Sequence, residues 1–198
     1  ACALGKAAGA AVAVDNTVLT PALQRPLEHG ADMAVNSVTK MLNGHSDMVG
    51  GAVACADPAR AERLSWWANA AGASAGAFDV FLALRGLRTL PLRATAQSEG
   101  ALLAARFLAA RAGVSRVDYP GLETHPGHAV ARRQQSGFGP LLSFELDGGV
   151  EAAKACVARL RLFTLAQSLG GVESLCALPA TMTHAAMSPE ARREAGVG

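Results

Sequence analysis

Asp15 follows the short apolar run Ala11-Val12-Ala13-Val14, and Lys40 closes the polar segment Asn36-Ser37-Val38-Thr39-Lys40. A carboxylate at the C-terminal end of a buried strand stands where open α/β sheets place their ligands. A lysine just past a strand, among small polar residues, becomes an amine nucleophile or base when partly buried, because burial disfavours its charged form. Ser37 and Thr39 are two residues apart, so in an extended segment their hydroxyls project to one side and can donate together to a phosphate. Taken singly, Asp15 also suits a helix cap and Lys40 a solvated surface lysine. Together they place a carboxylate, two hydroxyls and an amine in one strand–helix–strand stretch.

That set matches what pyridoxal phosphate needs from a protein: a lysine for its aldehyde, a partner for its ring nitrogen and donors for its phosphate. The surrounding residues are also familiar. Val14-Asp15-Asn16-Thr17, Thr20-Pro21, Gly30-Ala31-Asp32, Ser37-Val38-Thr39-Lys40, Asn43-Gly44-His45-Ser46-Asp47 and Gly50-Gly51 form one long composite pattern. Leu84-Arg85-Gly86-Leu87-Arg88-Thr89-Leu90, Ser168-Leu169-Gly170-Gly171-Val172-Glu173-Ser174-Leu175 and Thr181-Met182-Thr183-His184 extend it. The pattern closely resembles the trans-sulfuration (Cys/Met metabolism) pyridoxal-phosphate enzymes over roughly residues 11–198. Trp66-Trp67 and the Ser168–Leu175 segment are most similar to its bacterial cystathionine γ-synthase branch.

The resemblance implies that Lys40 carries the cofactor, that Asp15 pairs with the pyridine nitrogen, and that Ser37 and Thr39 bind the phosphate. It places Ser168 by the substrate carboxylate, with Gln167 beside it where many relatives have glutamate. Glutamine is neutral, so it neither serves as a general base nor attracts an ammonium by charge. That leaves open γ-replacement on an O-acylhomoserine by cysteine, γ- or β-lyase or methionine γ-lyase chemistry, and sulfhydrylation. The implied fold is a partial aspartate-aminotransferase-like (type I) α/β fold. Residues 1–98 would belong to the large cofactor domain and 99–198 to a smaller C-terminal α/β domain. The implied assembly is a homotetramer acting on small amino acids. The Ala1 start and Gly198 end read as cuts, so an inactive fragment is a further expectation.

The positioning elements follow from pattern. Short apolar runs near 11–14, 33–36 and 50–55 read as strands, and 21–29 as a helix opened by Pro21. Residues 37–47 read as loop. Asp57-Pro58 reads as a helix start, with further helices over 77–87 and 91–112. Beyond Gly113, strands at 114–118, 138–146 and 161–166 alternate with helices at 127–135 and 150–160, followed by a short helix at Ser188-Pro189. Such alternation indicates a layered α/β fold.

Hydrophobic residues make up 51%, charged residues 17%, and the net charge is +2. No basic run points to nucleic acid, and no apolar run suits a membrane helix. Cys2, Cys55, Cys156 and Cys176 fit no zinc spacing and read as free thiols of a cytoplasmic protein. His45, His125 and His128 read as local loop bonds, Arg85 and Arg88 as contact residues, and Gly170-Gly171 as a tight turn. One of Trp66 and Trp67 is expected in a core or interface, and Tyr119 in a linker.

Overall fold

Ala13–Asp15 (β1) and Met33–Ser37 (β2) lie side by side as parallel strands in the computed structural model, which describes residues 1–197. Ahead of them is one short helix, Cys2–Ala7 (α1). Gly51–Cys55 (β3) pairs antiparallel with β2, Ser37 opposite Gly51 and Met33 opposite Cys55. Residues of β2 alternate, so Ala34 and Asn36 are buried while Met33, Val35 and Ser37 face the other way. Asp15 and Ser37 thereby end their strands at the same carboxyl edge.

The crossover is two turns, not the single helix expected over 21–29. Thr20–Leu23 (α2) stops at Gln24, which is extended, and a 3-10 turn runs over Pro26–His29. Proline lacks an N–H and pushes the preceding residue out of the helical region, which breaks the run before Pro26. Gly30, at φ +89°, ends the second turn.

Val38–Leu42, expected as loop, winds into a π-type turn interrupted at Lys40 (φ −91°, ψ −123°). Pro58–Ala70 (α3) starts as expected, the Asp57 carboxylate accepting from Ala59 N–H at 3.1 Å. Ala77–Leu87 (α4) and Leu90–Ala109 (α5) follow. Leu90 and Ala94 of α5 pack with Leu23, Val38, Met41, Leu42 and Met48. Further along the same helix, Ala101 and Ala105 pack with Tyr119 in a second core.

Tyr119 is not a linker residue. It is fully buried, and its hydroxyl lies 3.1 Å from the Ser98 carbonyl and 2.9 Å from that of Gly139. Burial pushes its phenol pKa up. The Ser98 hydroxyl accepts from Phe138 N–H at 3.1 Å, so α5 anchors the segment entering the second sheet.

That sheet pairs Val114–Asp118 (β4) antiparallel with Ser143–Leu146 (β5), with an irregularity between Val114 and Arg116. The strand expected over 138–146 forms only in its second half. Gly139, at φ +79°, and Pro140 interrupt the start. His128–Gln134 (α6) and Gly149–Val157 (α7) flank β5 in sequence. Of the strand expected over 161–166 only Thr164–Leu165 (β6) forms, paired in parallel with Leu175–Cys176 (β7). Pro189–Glu194 (α8) is capped by Ser188 as expected. Neither tryptophan is in a core: Trp66 is 60% and Trp67 54% exposed, their rings edge to face. All four cysteines are free.

Candidate active site

The carboxyl edge of β1 and β2 brings Asp15, Ser37 and the Lys40 turn to one end of the sheet. Asp15 is exposed, and its Oδ1 accepts from Thr17 N–H at 2.9 Å. Hydrogen bonds from the Thr17 side chain and backbone hold the Asp15 carboxyl below the usual aspartate range. The Thr17 hydroxyl accepts from Ser37 N–H at 2.8 Å, so Thr17 links the two strand ends. The carboxylate therefore stays anionic beside the end of β2.

Thr39 does not project alongside Ser37, because the chain leaves the extended region after Ser37. Its hydroxyl instead accepts from Gly50 N–H at 2.9 Å and lies 3.3 Å from the Gly50 carbonyl. This ties the start of the turn to the segment entering β3. Asn43 N–H reaches Val38 C=O, and Gly44 N–H reaches Lys40 C=O at 2.8 Å, which closes the turn. Asn43 is buried, with its amide on Asp47. The His45 ring lies 2.7 Å from the Asn43 carbonyl, a local loop bond as expected.

From the far end of the chain, Ser168 reaches this turn. Lys40 Nζ donates to Ser168 Oγ at 3.2 Å across 128 residues of sequence. Gln167 and Ser168 are both exposed. Ser46 Oγ donates to Glu173 Oε2 at 3.3 Å, and Gln97 Nε2 donates to the Gly171 carbonyl at 2.8 Å. The sequence singles out Lys40 and Ser168, which the structure brings together, but not Gln97 or Arg93, whose guanidinium bonds the carbonyls of Met41 and Leu42. Among the described residues no cluster of His, Cys, Asp and Glu suits a metal ion. No helix there is long and apolar enough to cross a membrane.

An anionic carboxylate and a lysine amine at the carboxyl end of adjacent parallel strands, the amine held only at its tip by a serine from a distant loop, suit a cofactor bound through an amine. The model of the Cys/Met metabolism PLP-dependent enzymes matches residues 1–198. The chain belongs to that family.

The relatives of this family member include cystathionine gamma-synthase of Escherichia coli (strain K12), 50% identical over 99% of this chain and 51% of its own length. Cystathionine beta-lyase of Lactococcus lactis subsp. cremoris is 47% identical over 98% of this chain and 51% of its own. Among solved structures, cystathionine gamma synthase from Xanthomonas oryzae pv. oryzae in complex with aminoacrylate and cysteine superposes with a TM-score of 0.93 at 57% identity, covering 98% of this chain and 50% of that one. The chain spans about half the length of the curated relatives it matches. The fold is accordingly part of the pyridoxal-phosphate enzyme fold of those structures.

The family's cofactor is pyridoxal phosphate, and the residues present fit it. The anionic Asp15 suits a protonated ring nitrogen, and among the described residues the half-buried Lys40 amine bonds the Ser168 hydroxyl and no carboxylate.

Proposed function

We propose that the full-length protein catalyses γ-replacement on an O-acylhomoserine, the O-succinyl ester by similarity, with cysteine as the incoming thiol. The Cγ–O bond breaks, a Cγ–S bond forms, and cystathionine and the free acid leave. The observation that carries this reading is the 3.2 Å contact between Lys40 Nζ and Ser168 Oγ. It joins an amine that can hold the cofactor to a hydroxyl on the loop expected to meet the substrate.

Bound pyridoxal phosphate supplies an electron sink for charge developed at Cα. Lys40 would hold the cofactor, and its free amine would move protons at Cα and Cβ of the substrate. Asp15, kept anionic by Thr17, holds the proton on the ring nitrogen. Ser37 and Thr39 serve the phosphate, and for Thr39 this requires exchange of its bonds to Gly50. Ser168 orients the Lys40 amine and lies by the substrate carboxylate, with Gln167 next to it. Residues 1–98 act as the cofactor-binding part and 99–198 as the smaller part. The assembly is a homotetramer in the cytoplasm.

A second reading is supported by Gln167 and by the 47% identity to a cystathionine beta-lyase. A neutral residue beside Ser168 alters how a substrate ammonium is held, so lyase or sulfhydrylase chemistry competes with γ-replacement. The test uses the full-length protein. Pyridoxal phosphate is added, the mixture is reduced with borohydride, and the labelled peptide is mapped. Products are then followed with O-succinylhomoserine plus cysteine, plus sulfide, or alone, and with cystathionine. Label on Lys40 and cysteine-dependent cystathionine support γ-replacement, and Lys40→Ala should abolish both. Cleavage of cystathionine as the dominant activity would mark a lyase, and sulfide-dependent homocysteine a sulfhydrylase. Label scattered over other lysines would sink the site.

A further inference from the structure

Two polar side chains of α5 reach the two loops that meet at Lys40 and Ser168. Arg93 Nη1 donates to the Met41 carbonyl at 2.9 Å, and Nη2 donates to those of Leu42 at 3.3 Å and Gly86 at 2.8 Å. Its Nε donates to the Thr89 hydroxyl at 3.0 Å. Burial lowers the Arg93 pKa, and the carbonyl at the C-terminal end of α4 offsets the charge. The fit leaves no slack, since a Cβ at Gly44 would run into the Arg93 guanidinium and one at Gly86 into the Asn43 carbonyl.

One turn further on, Gln97 donates to the Gly171 carbonyl, three residues past Ser168, while its own Oε1 is buried without a partner. Residues four apart share a helix face at a fixed spacing of about 6 Å. The helix therefore grips the Lys40 turn with one side chain and the Ser168 loop with the next. Among the described residues the only other side-chain bond between these loops, besides Lys40 to Ser168 itself, is the exposed Ser46–Glu173 contact.

We propose that Arg93 and Gln97 are positioning residues that together set the separation of the Lys40 amine and the Ser168 hydroxyl. The inference rests on the reading of Lys40 as the cofactor lysine. Backbone carbonyls are the gripped groups, so the register of both loops is fixed without contact to substrate.

The experiment is a double-mutant cycle in the full-length protein loaded with pyridoxal phosphate: wild type, Gln97→Met, Ser168→Ala and the pair. Two quantities are read, the rate of borohydride trapping at Lys40 and kcat. Gln97→Met should lower kcat about tenfold, the scale of a small misplacement of a reacting group, and change the trapping rate. In the Ser168→Ala background it should change neither, because no hydroxyl is left to place. Arg93→Lys should lower kcat similarly, since an ammonium does not reproduce the forked contact to three carbonyls. Ala101→Gly, which weakens the same helix within the Tyr119 core, should lower Tm and leave kcat alone. Additive effects in the cycle, or a loss of kcat in Ala101→Gly equal to that in Gln97→Met, would overturn the inference alone. Wild-type label away from Lys40 would overturn the functional reading and the inference with it.

Discussion

Gly170 lies against the backbone joining Lys40 to Met41, so that a Cβ there would stand 2.5 Å from the Met41 nitrogen and 2.8 Å from the Lys40 carbonyl carbon. Its φ of +85° already excludes most side chains. Gly170→Ala therefore meets two obstacles, a left-handed conformation costing about 1–2 kcal/mol and a collision with backbone that cannot swing away. Both are relieved by lifting the loop, which carries Ser168 off Lys40. The expected result is a fall in kcat of about 10–100-fold, with the cofactor still trapped at Lys40. Steady-state kinetics and peptide mapping check it. Unchanged kcat would show that the close approach is dispensable.

The residues proposed to hold the cofactor are legible because they are close in sequence and tied to strands: Asp15 ends one apolar run, and Lys40 follows another. Arg93 and Gln97 are not, for a physical reason. They bond backbone carbonyls 52 and 74 residues away, and every residue has a carbonyl, so no residue type marks the partner. Thr39 was misplaced because alternation assumes an extended chain, whereas the turn at Val38–Leu42 aims its hydroxyl at Gly50. Tyr119 sits beside Pro120 and Gly121, which read as linker, yet its burial comes from Ser98 and Gly139 on distant segments.

Asp15 gives a pH test with a definite sign. Its folded pKa lies below the ordinary aspartate range because hydrogen bonds from Thr17 stabilise the anion. The contribution to stability is therefore complete above about pH 4 and is lost as pH falls through the folded value. Asp15→Asn keeps an acceptor for Thr17 but carries no charge. In urea unfolding of the cofactor-free full-length protein, wild type should exceed Asp15→Asn at pH 7 by less than about 1 kcal/mol, because the exposed site is screened. The gap should close on acidification. With cofactor bound, the same variant should lose about a hundredfold in kcat, since a neutral amide no longer holds the ring proton by charge. A gap that widens toward low pH would contradict the assignment of the anion.

Phe78 and Phe81 stack with ring centroids 6.4 Å apart on α4 and are 72% and 59% exposed, with Leu84 59% exposed one turn on. These positions share a helix face, and apolar surface of this extent drives association. The 198-residue chain expressed alone should self-associate and bind a hydrophobic dye, and Phe78→Ser with Phe81→Ser should reduce both. Light scattering across a concentration series checks it. A monodisperse monomer with a cooperative melt would show that the face is tolerated in water.

Gln167 separates the competing reactions. It is exposed and precedes Ser168, whose hydroxyl touches the Lys40 amine. A glutamate there would add a negative charge within reach of an incoming ammonium, an attraction that weakens with salt. Gln167→Glu should therefore lower KM for the amino-acid substrate about threefold to tenfold at low ionic strength, on the scale of 1 kcal/mol for a partly screened pair. The difference should shrink at high salt, with kcat changing less. Rising lyase flux relative to γ-replacement in the variant would assign the residue a part in choosing the reaction. A KM insensitive to both charge and salt would place Gln167 outside the substrate's reach and leave Ser168 as the loop's sole contact to the chemistry.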